Sequence, residues 1–201
     1  MTRAFLALPL LGLLAACSIL PKQETSRTYT LPASPGPRPQ AAQPVDWALR
    51  VASPVAPRAL DNARIAVSPE PNTLTVYAGA RWSDSAPHLF RDRLADAFRD
   101  SGRVAALSTD DANLAADYEL GGTLTAFQTD YVDGTPQVTI RYDAVLADTR
   151  RHRIVGSRRF EIREPVQGKA VPHVVDAFGR GMDALSAQVT GWTFQVAGAQ
   201  R

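Results

Sequence analysis

The chain has 201 residues, with 22 Lys and Arg against 20 Asp and Glu and a formal net charge of +2. That near balance, with basic residues not gathered on one segment, argues against nucleic-acid or polyanion binding by bulk electrostatics. A single cysteine leaves no disulfide to make, so any core must be held by packing.

The first segment is a secretory signal. Arg3 precedes an apolar stretch from Ala4 to Leu14, and small residues follow. The stretch is too short to span a bilayer core of about 30 Å, which takes roughly 20 helical residues. Residues 1–16 are therefore expected to be a removed, lipoprotein-type signal peptide. Leu14-Ala15-Ala16-Cys17 forms the lipobox: small residues let a signal peptidase approach the backbone, and the thiol can be alkylated by a diacylglyceryl group. The only cofactor-like groups expected are covalent ones, an N-acyl chain (such as palmitate) and S-diacylglycerol on Cys17. Two lipid signals already give stable anchoring. Ser18, where Asp would favour retention in the inner membrane, points to the periplasmic face of the outer membrane.

Residues 17–45 read as the lipidated N-terminus and a tether. Pro21, Pro32, Pro35, Pro37, Pro39 and Pro44 are set among Ala, Gln, Ser and Gly, a composition that leans toward extended polyproline II. At about 3.1 Å per residue its reach is on the order of 70 Å. Tyr29-Thr30-Leu31 is a β-prone island able to add an edge strand.

The folded domain is expected over 46–197. Trp47, Leu49 and Val51 alternate as a half-buried strand; Ile65 and Val67, then Leu74, Val76 and Ala78, form two more. Ser85-Ala86-Pro87 starts a helix in which Phe90, Leu94, Ala97 and Phe98 recur, with Arg91 among the residues on other faces and Gly102 as the stop. Val104, Ala106 and Leu107 make a short strand. Three long strands follow. Tyr118, Leu120, Leu124 and Ala126 share one face, with a bulge or bend at Gly121-Gly122; Asp133-Gly134 is a turn. Val138, Ile140, Tyr142, Ala144 and Leu146 alternate cleanly, and Ile154, Phe160 and Ile162 carry the third strand. Val171, Val174, Val175, Phe178, Met182, Leu185, Val189 and Trp192 form the apolar stripe of a closing helix. The class is α+β: a single domain whose mainly antiparallel sheet, a three-strand meander plus N-terminal strands, is packed by two helices.

Chemistry is sparse. His88, His152 and His173 are far apart and outside any metal-ligand spacing, no catalytic motif is present, and the sole cysteine is used by lipid, so neither metal site nor enzyme is expected. Asp110-Asp111 reads as a solvated turn. Arg150, Arg151, His152, Arg153, Arg158 and Arg159 read as a solvated hairpin end, with a docking patch for an acidic partner or lipid headgroup as the functional alternative. Gly179-Arg180-Gly181 fits a dinucleotide fingerprint as a string, but it lies inside the helical stripe with no strand before it. Close packing of helix on sheet is the better reading.

The chain resembles the ABC-type transport auxiliary lipoproteins. The residues that carry the likeness are the lipobox, Tyr29-Thr30-Leu31, Leu60-Asp61, Trp82-Ser83-Asp84, Pro87-His88-Leu89-Phe90, Ala116-Asp117-Tyr118-Glu119-Leu120, Val155-Gly156-Ser157 and Val174-Val175-Asp176-Ala177-Phe178 ahead of Trp192. The resemblance implies a non-catalytic role beside MCE-domain proteins with their permease and ATPase, in systems that carry lipid across the periplasm. Of the site residues it carries over Cys17 alone. A docking or exit element at the outer membrane is the implied mechanism; a homo-oligomeric ring would suit a lipid path better than a monomer, and aromatics such as Trp82 and Tyr131, if exposed, are contact candidates, with core packing the alternative for each and the better reading for Trp82. The alternatives are a stand-alone ligand-binding lipoprotein and an envelope-assembly lipoprotein.

Overall fold

A computed structural model describes residues 26–34, 43–112 and 114–200. The signal segment, the lipobox residues Leu14, Ala15 and Ala16, Cys17 itself and much of the proline-rich stretch lie outside the described residues. The elements run β1 (Arg27–Tyr29), β2 (Leu49–Val51), β3 (Arg64–Ser68), β4 (Thr75–Trp82), α1 (Ala86–Asp100), β5 (Leu107–Thr109), β6 (Tyr118–Val132), β7 (Thr135–Asp148), β8 (Arg153–Pro165) and α2 (Val171–Gly198).

The meander β6–β7–β8 is the backbone of the sheet. Asp133 and Gly134 both take positive φ, 51° and 73°, which matches a two-residue type I′ turn and brings Val132 opposite Thr135. Register then follows from the pleat: Val138, Ile140, Tyr142, Ala144 and Leu146 all turn to one face and are fully buried. Both helices cover that face. The other face carries charge pairs between neighbouring strands, Arg141 with Glu161 at 2.7 Å and Asp143 with Arg159 at 2.6 Å.

β6 is longer than any one neighbour on its free side, so two strands share it. β2 pairs with Tyr118–Leu120 and β3 with Gln128–Asp130, both parallel. β4 and β1 extend the sheet beyond β3, and β5 extends it beyond β2. Among the described residues the class is α+β with two helices and one domain, as expected, but the eight-stranded sheet is mixed: β1, β2, β3 and β5 all enter parallel pairings.

Several strand expectations shift for identifiable reasons. The register shift in β6 falls between Leu124 and Ala126 rather than at the glycines. Gly122 answers a different need: with φ +139, a Cβ there would sit 2.0 Å from the Asp143 carbonyl oxygen. In β4 the expected inward set reverses. Leu74 and Val76 are exposed, because extra residues around Gly79 (φ +64) flip the alternation and turn Trp82 into the core. Ile154 is 65% exposed, since Ala147 faces Ile154 while Leu146 faces Gly156, leaving Val155 as the additional residue.

Helix α1 starts at Ser85, whose φ −63° and ψ 146° are extended, with proline in its first turn; it stops at Gly102, φ +65. Phe90, Leu94, Ala95 and Phe98 face inward, and Arg91 is buried with them. α2 spans about 42 Å at 1.5 Å per residue and lies along β7 and β8. Two of its glycines are contact points: a Cβ on Gly181 would meet Ile140 Cδ1 at 3.2 Å, and one on Gly179 would meet the Pro32 carbonyl oxygen at 3.0 Å. This is close packing, as the sequence indicates, and not a nucleotide-binding turn.

Residues 26–34 belong to the folded body. β1 pairs with Ala80–Trp82, Leu31 is buried, and the Ser34 N–H donates to Asp183 at 3.1 Å. The spacer that links Cys17 to the body therefore ends at Arg27, and ten residues reach at most about 35 Å fully extended.

Candidate functional site

A groove runs between the start of β8 and the last turns of α2. It holds about 460 Å³ and is lined by Val155, Ser157, Arg158, Trp192, Gln195 and Val196, among others. Gly156 makes it. A Cβ there would sit 2.9 Å from Val196 Cγ1 and 3.1 Å from the Trp192 ring, so only glycine lets the helix come this close to the strand. Trp192 stacks edge-on against Phe160 at 5.7 Å, and the Arg158 guanidinium lies 5.0 Å from the same ring. Among the described residues β8 pairs with β7 alone. The groove thus offers an apolar floor, one cation and a free strand edge, a combination suited to an extended partner segment or an apolar chain.

The basic turn beside it is internally paired. Arg150 reaches Asp117 at 2.5 Å, Arg151 reaches Asp148 at 3.1 Å and Arg153 reaches Gln200 at 2.8 Å. The Arg151 backbone N–H, 2.9 Å away, is the main reason the Asp148 carboxyl sits below the usual carboxylate range. Asp117 and Asp148 pair two of the cations, whereas Arg153 meets only the neutral Gln200 amide, so the hairpin end is solvated and partly paired and keeps some positive charge.

Asp110-Asp111 does more than make a turn. Arg91, 6% exposed, donates to Asp110 at 2.9 Å and to Ser53 Oγ at 3.2 Å, and pairs with Asp92 and Asp111. Burial works against the Arg91 charge, but its three carboxylate partners outweigh that and hold its pKa above the ordinary value. The cluster clamps α1, the end of β2 and the 110–112 turn together. An acidic doublet 19 and 20 positions after a helical arginine was the only sequence signal for it.

The remaining candidates fall into place singly. Trp82 is fully buried, 5.2 Å from Phe178 and 6.1 Å from Phe127, so it is core and no contact residue. Tyr131 is half-buried near the Asp133-Gly134 turn. Burial pushes the neighbouring Tyr77 hydroxyl up to about 12. His88 lies 3.3 Å from Asp84 at a helix start, His152 occupies a turn with φ +50, and His173 packs beside Gly168. Among the described residues no three His, Cys, Asp or Glu side chains are grouped to hold a metal ion, and no helix is long and apolar enough to cross a membrane. Sequence reasoning missed the groove; Gly156 inside a strand was the one residue that could have pointed to it.

Comparison with known proteins agrees with this architecture. A solved protein of Xanthomonas campestris, XCC0632, of the family DUF330, superposes with a TM-score of 0.80 at 32% identity, covering 87% of this chain and 98% of its own. A second solved, uncharacterized protein shares the fold at TM-score 0.66 and 19% identity, covering 85% of this chain and 99% of its own. An uncharacterized protein of Bradyrhizobium diazoefficiens is 28% identical over 174 residues, 86% of this chain but 46% of that protein, so the chain spans about half the length of this curated relative. The model of the ABC-type transport auxiliary lipoprotein component matches residues 29–190, and the chain belongs to that family.

Proposed function

We propose that the protein is an outer-membrane-anchored, periplasmic, non-catalytic auxiliary of an ABC-type MCE lipid transport system, held by acyl groups on Cys17 and engaging its partner through the β8–α2 groove. The family match over residues 29–190 carries the transport role. The groove supports the contact role, because its apolar floor sits beside an unpaired strand edge. Energy would come from the partner ATPase, and this chain would act by binding alone. The lipobox Leu14-Ala15-Ala16 with Cys17 supports the anchor, and Ser18 supports the outer membrane.

Ser157 is exposed and lines the groove, so Ser157→Trp fills it without touching the core. Acylated wild-type protein should capture an MCE-domain protein from detergent extracts, with lipid co-purifying, and Ser157→Trp should lose at least tenfold of that capture. Equal capture by both would remove the groove from the proposal. A bound soluble metabolite with no MCE protein would favour the stand-alone ligand-binding reading. Cys17→Ala should leave the precursor unacylated and uncut; palmitate incorporation into that variant would overturn the anchor.

A further inference from the structure

We infer that the protein stands on its membrane on one defined end, the tips of the 69–74 and Asp133-Gly134 turns, with the β8–α2 groove turned away from the bilayer. This rests on the acylation of Cys17 proposed above and adds the orientation.

Strand direction sets it. β1 runs parallel to β4 with Arg27 beside Ala80, so the chain before Arg27 leaves toward the Thr75 end of β4. Thr75 pairs with Val67, and Val67 with Thr129, so that same end carries the 69–74 turn and the end of β6. Counting along β3 and β6 at about 3.3 Å per residue, Val132 projects roughly 20 Å beyond the level of Arg27. The ten residues back to Cys17 reach at most about 35 Å. With the strands upright, the turn tips therefore stand within about 15 Å of the plane that holds Cys17.

The tips have a surface that fits a bilayer of low charge. Leu74 is 42% exposed and Val132 50% exposed, one at each turn. Glu70, Asp130 and Asp133 outnumber Lys169 at this end, so a strongly anionic surface would repel it and a zwitterionic one would not. The opposite end holds the paired Arg150 and Arg151 turn and the groove, some 40 Å away at about 3.3 Å per residue of β7. A partner arriving across the periplasm would meet that end first.

The experiment uses the full acylated chain in vesicles of phosphatidylethanolamine with a minor phosphatidylglycerol fraction. Acylation occupies the Cys17 sulfur, so Val132→Cys and Ile154→Cys each introduce the only free thiol, at exposed positions where a nitroxide label leaves the core intact. The ratio of oxygen to nickel-chelate collisions should rise severalfold at Val132→Cys on vesicle binding and stay unchanged at Ile154→Cys. Protein that floats with the vesicles but shows equal ratios at both sites, or the higher one at Ile154→Cys, overturns the orientation alone. Protein that fails to float overturns the acylation reading and the orientation with it.

Discussion

The meander and the strands on its free side are held by different means. In the meander each pairing joins sequence neighbours through a short turn, and β6 and β7 stay in register from Tyr118↔Asp148 to Val132↔Thr135 with one shift. The flanking strands pair across long stretches of chain: Arg27 with Ala80, Leu49 with Tyr118, Ala66 with Gln128. Closing such loops costs entropy that a three-residue strand does not recover by its own hydrogen bonds. The flank is instead fastened by side chains, by Arg91 on one side and by the seat of Pro32 on Gly179 on the other. The two regions should therefore fail differently: the meander cooperatively, the flank piece by piece.

Gly122→Val should have the largest effect, because it attacks the register of the meander itself. Its Cβ has no room beside the Asp143 carbonyl, and φ +139 is strained for any L side chain. We expect a loss of at least about 4 kcal/mol, read as a collapse of the urea midpoint and loss of near-UV circular dichroism, with no local intermediate. Arg91→Met tests the flank. It leaves Asp110 and Asp111 without their buried partner but still in contact with water, so the cost should be about 2 kcal/mol, smaller than for a fully enclosed pair. Hydrogen exchange at the Ser53 amide, which donates to Asp110 at 3.0 Å, should accelerate while amides of β7 keep their protection. Gly179→Val should be milder still, about 1 kcal/mol, since displacing Pro32 frees only the N-terminal segment. The Ser83 amide, bonded to the Tyr29 carbonyl, should exchange faster and the Ser53 amide should not change.

The same division decides what could be read from the sequence. In the meander local signals and tertiary outcome agree at most positions: Asp133-Gly134 is a turn, Val138 to Leu146 alternate into the core, and the stripe from Val174 to Trp192 is the helix that covers them, with Ile154 and the place of the β6 shift as the exceptions. In the flank they diverge. Nothing in Leu49–Val51 says that its neighbours will be Leu107–Thr109 and Tyr118–Leu120, or that both pairings will be parallel. Val76 alternates as an inward residue should, yet it ends outward because inserted residues around Gly79 change the phase. Arg91 looks like a solvent residue because its partners lie 19 and 20 positions away. The groove was illegible for a related reason: it exists only where a β8 glycine lets a distant helix approach. The anchor proposed at Cys17 rests on sequence chemistry alone, outside the described residues.

Acid should separate the two regions by the smallest margin. Arg159, at 2.6 and 2.9 Å, is the main reason the Asp143 carboxyl in the meander sits below the usual range. Burial would raise Asp110 in the flank, but the Ser53 N–H and Arg91 outweigh it and hold that carboxyl low as well. A carboxyl whose folded pKa is depressed adds stability that is complete above its unfolded value, 3.8 here, and is lost as pH falls through the folded value. Stability should thus be level from about pH 7 to pH 5 and decline below about pH 4. Salt distinguishes the contributions. The Asp143–Arg159 pair is open to solvent and its share should fade at about 1 M salt, where the screening length is near 3 Å, whereas Arg91 is enclosed and the Asp110 share should persist. Urea midpoints from pH 5 to pH 3 at low and high salt, on the wild type, Arg159→Met and Arg91→Met, measure both. An acid slope in high salt that Arg91→Met leaves untouched would mean that the flank is not fastened by this cluster.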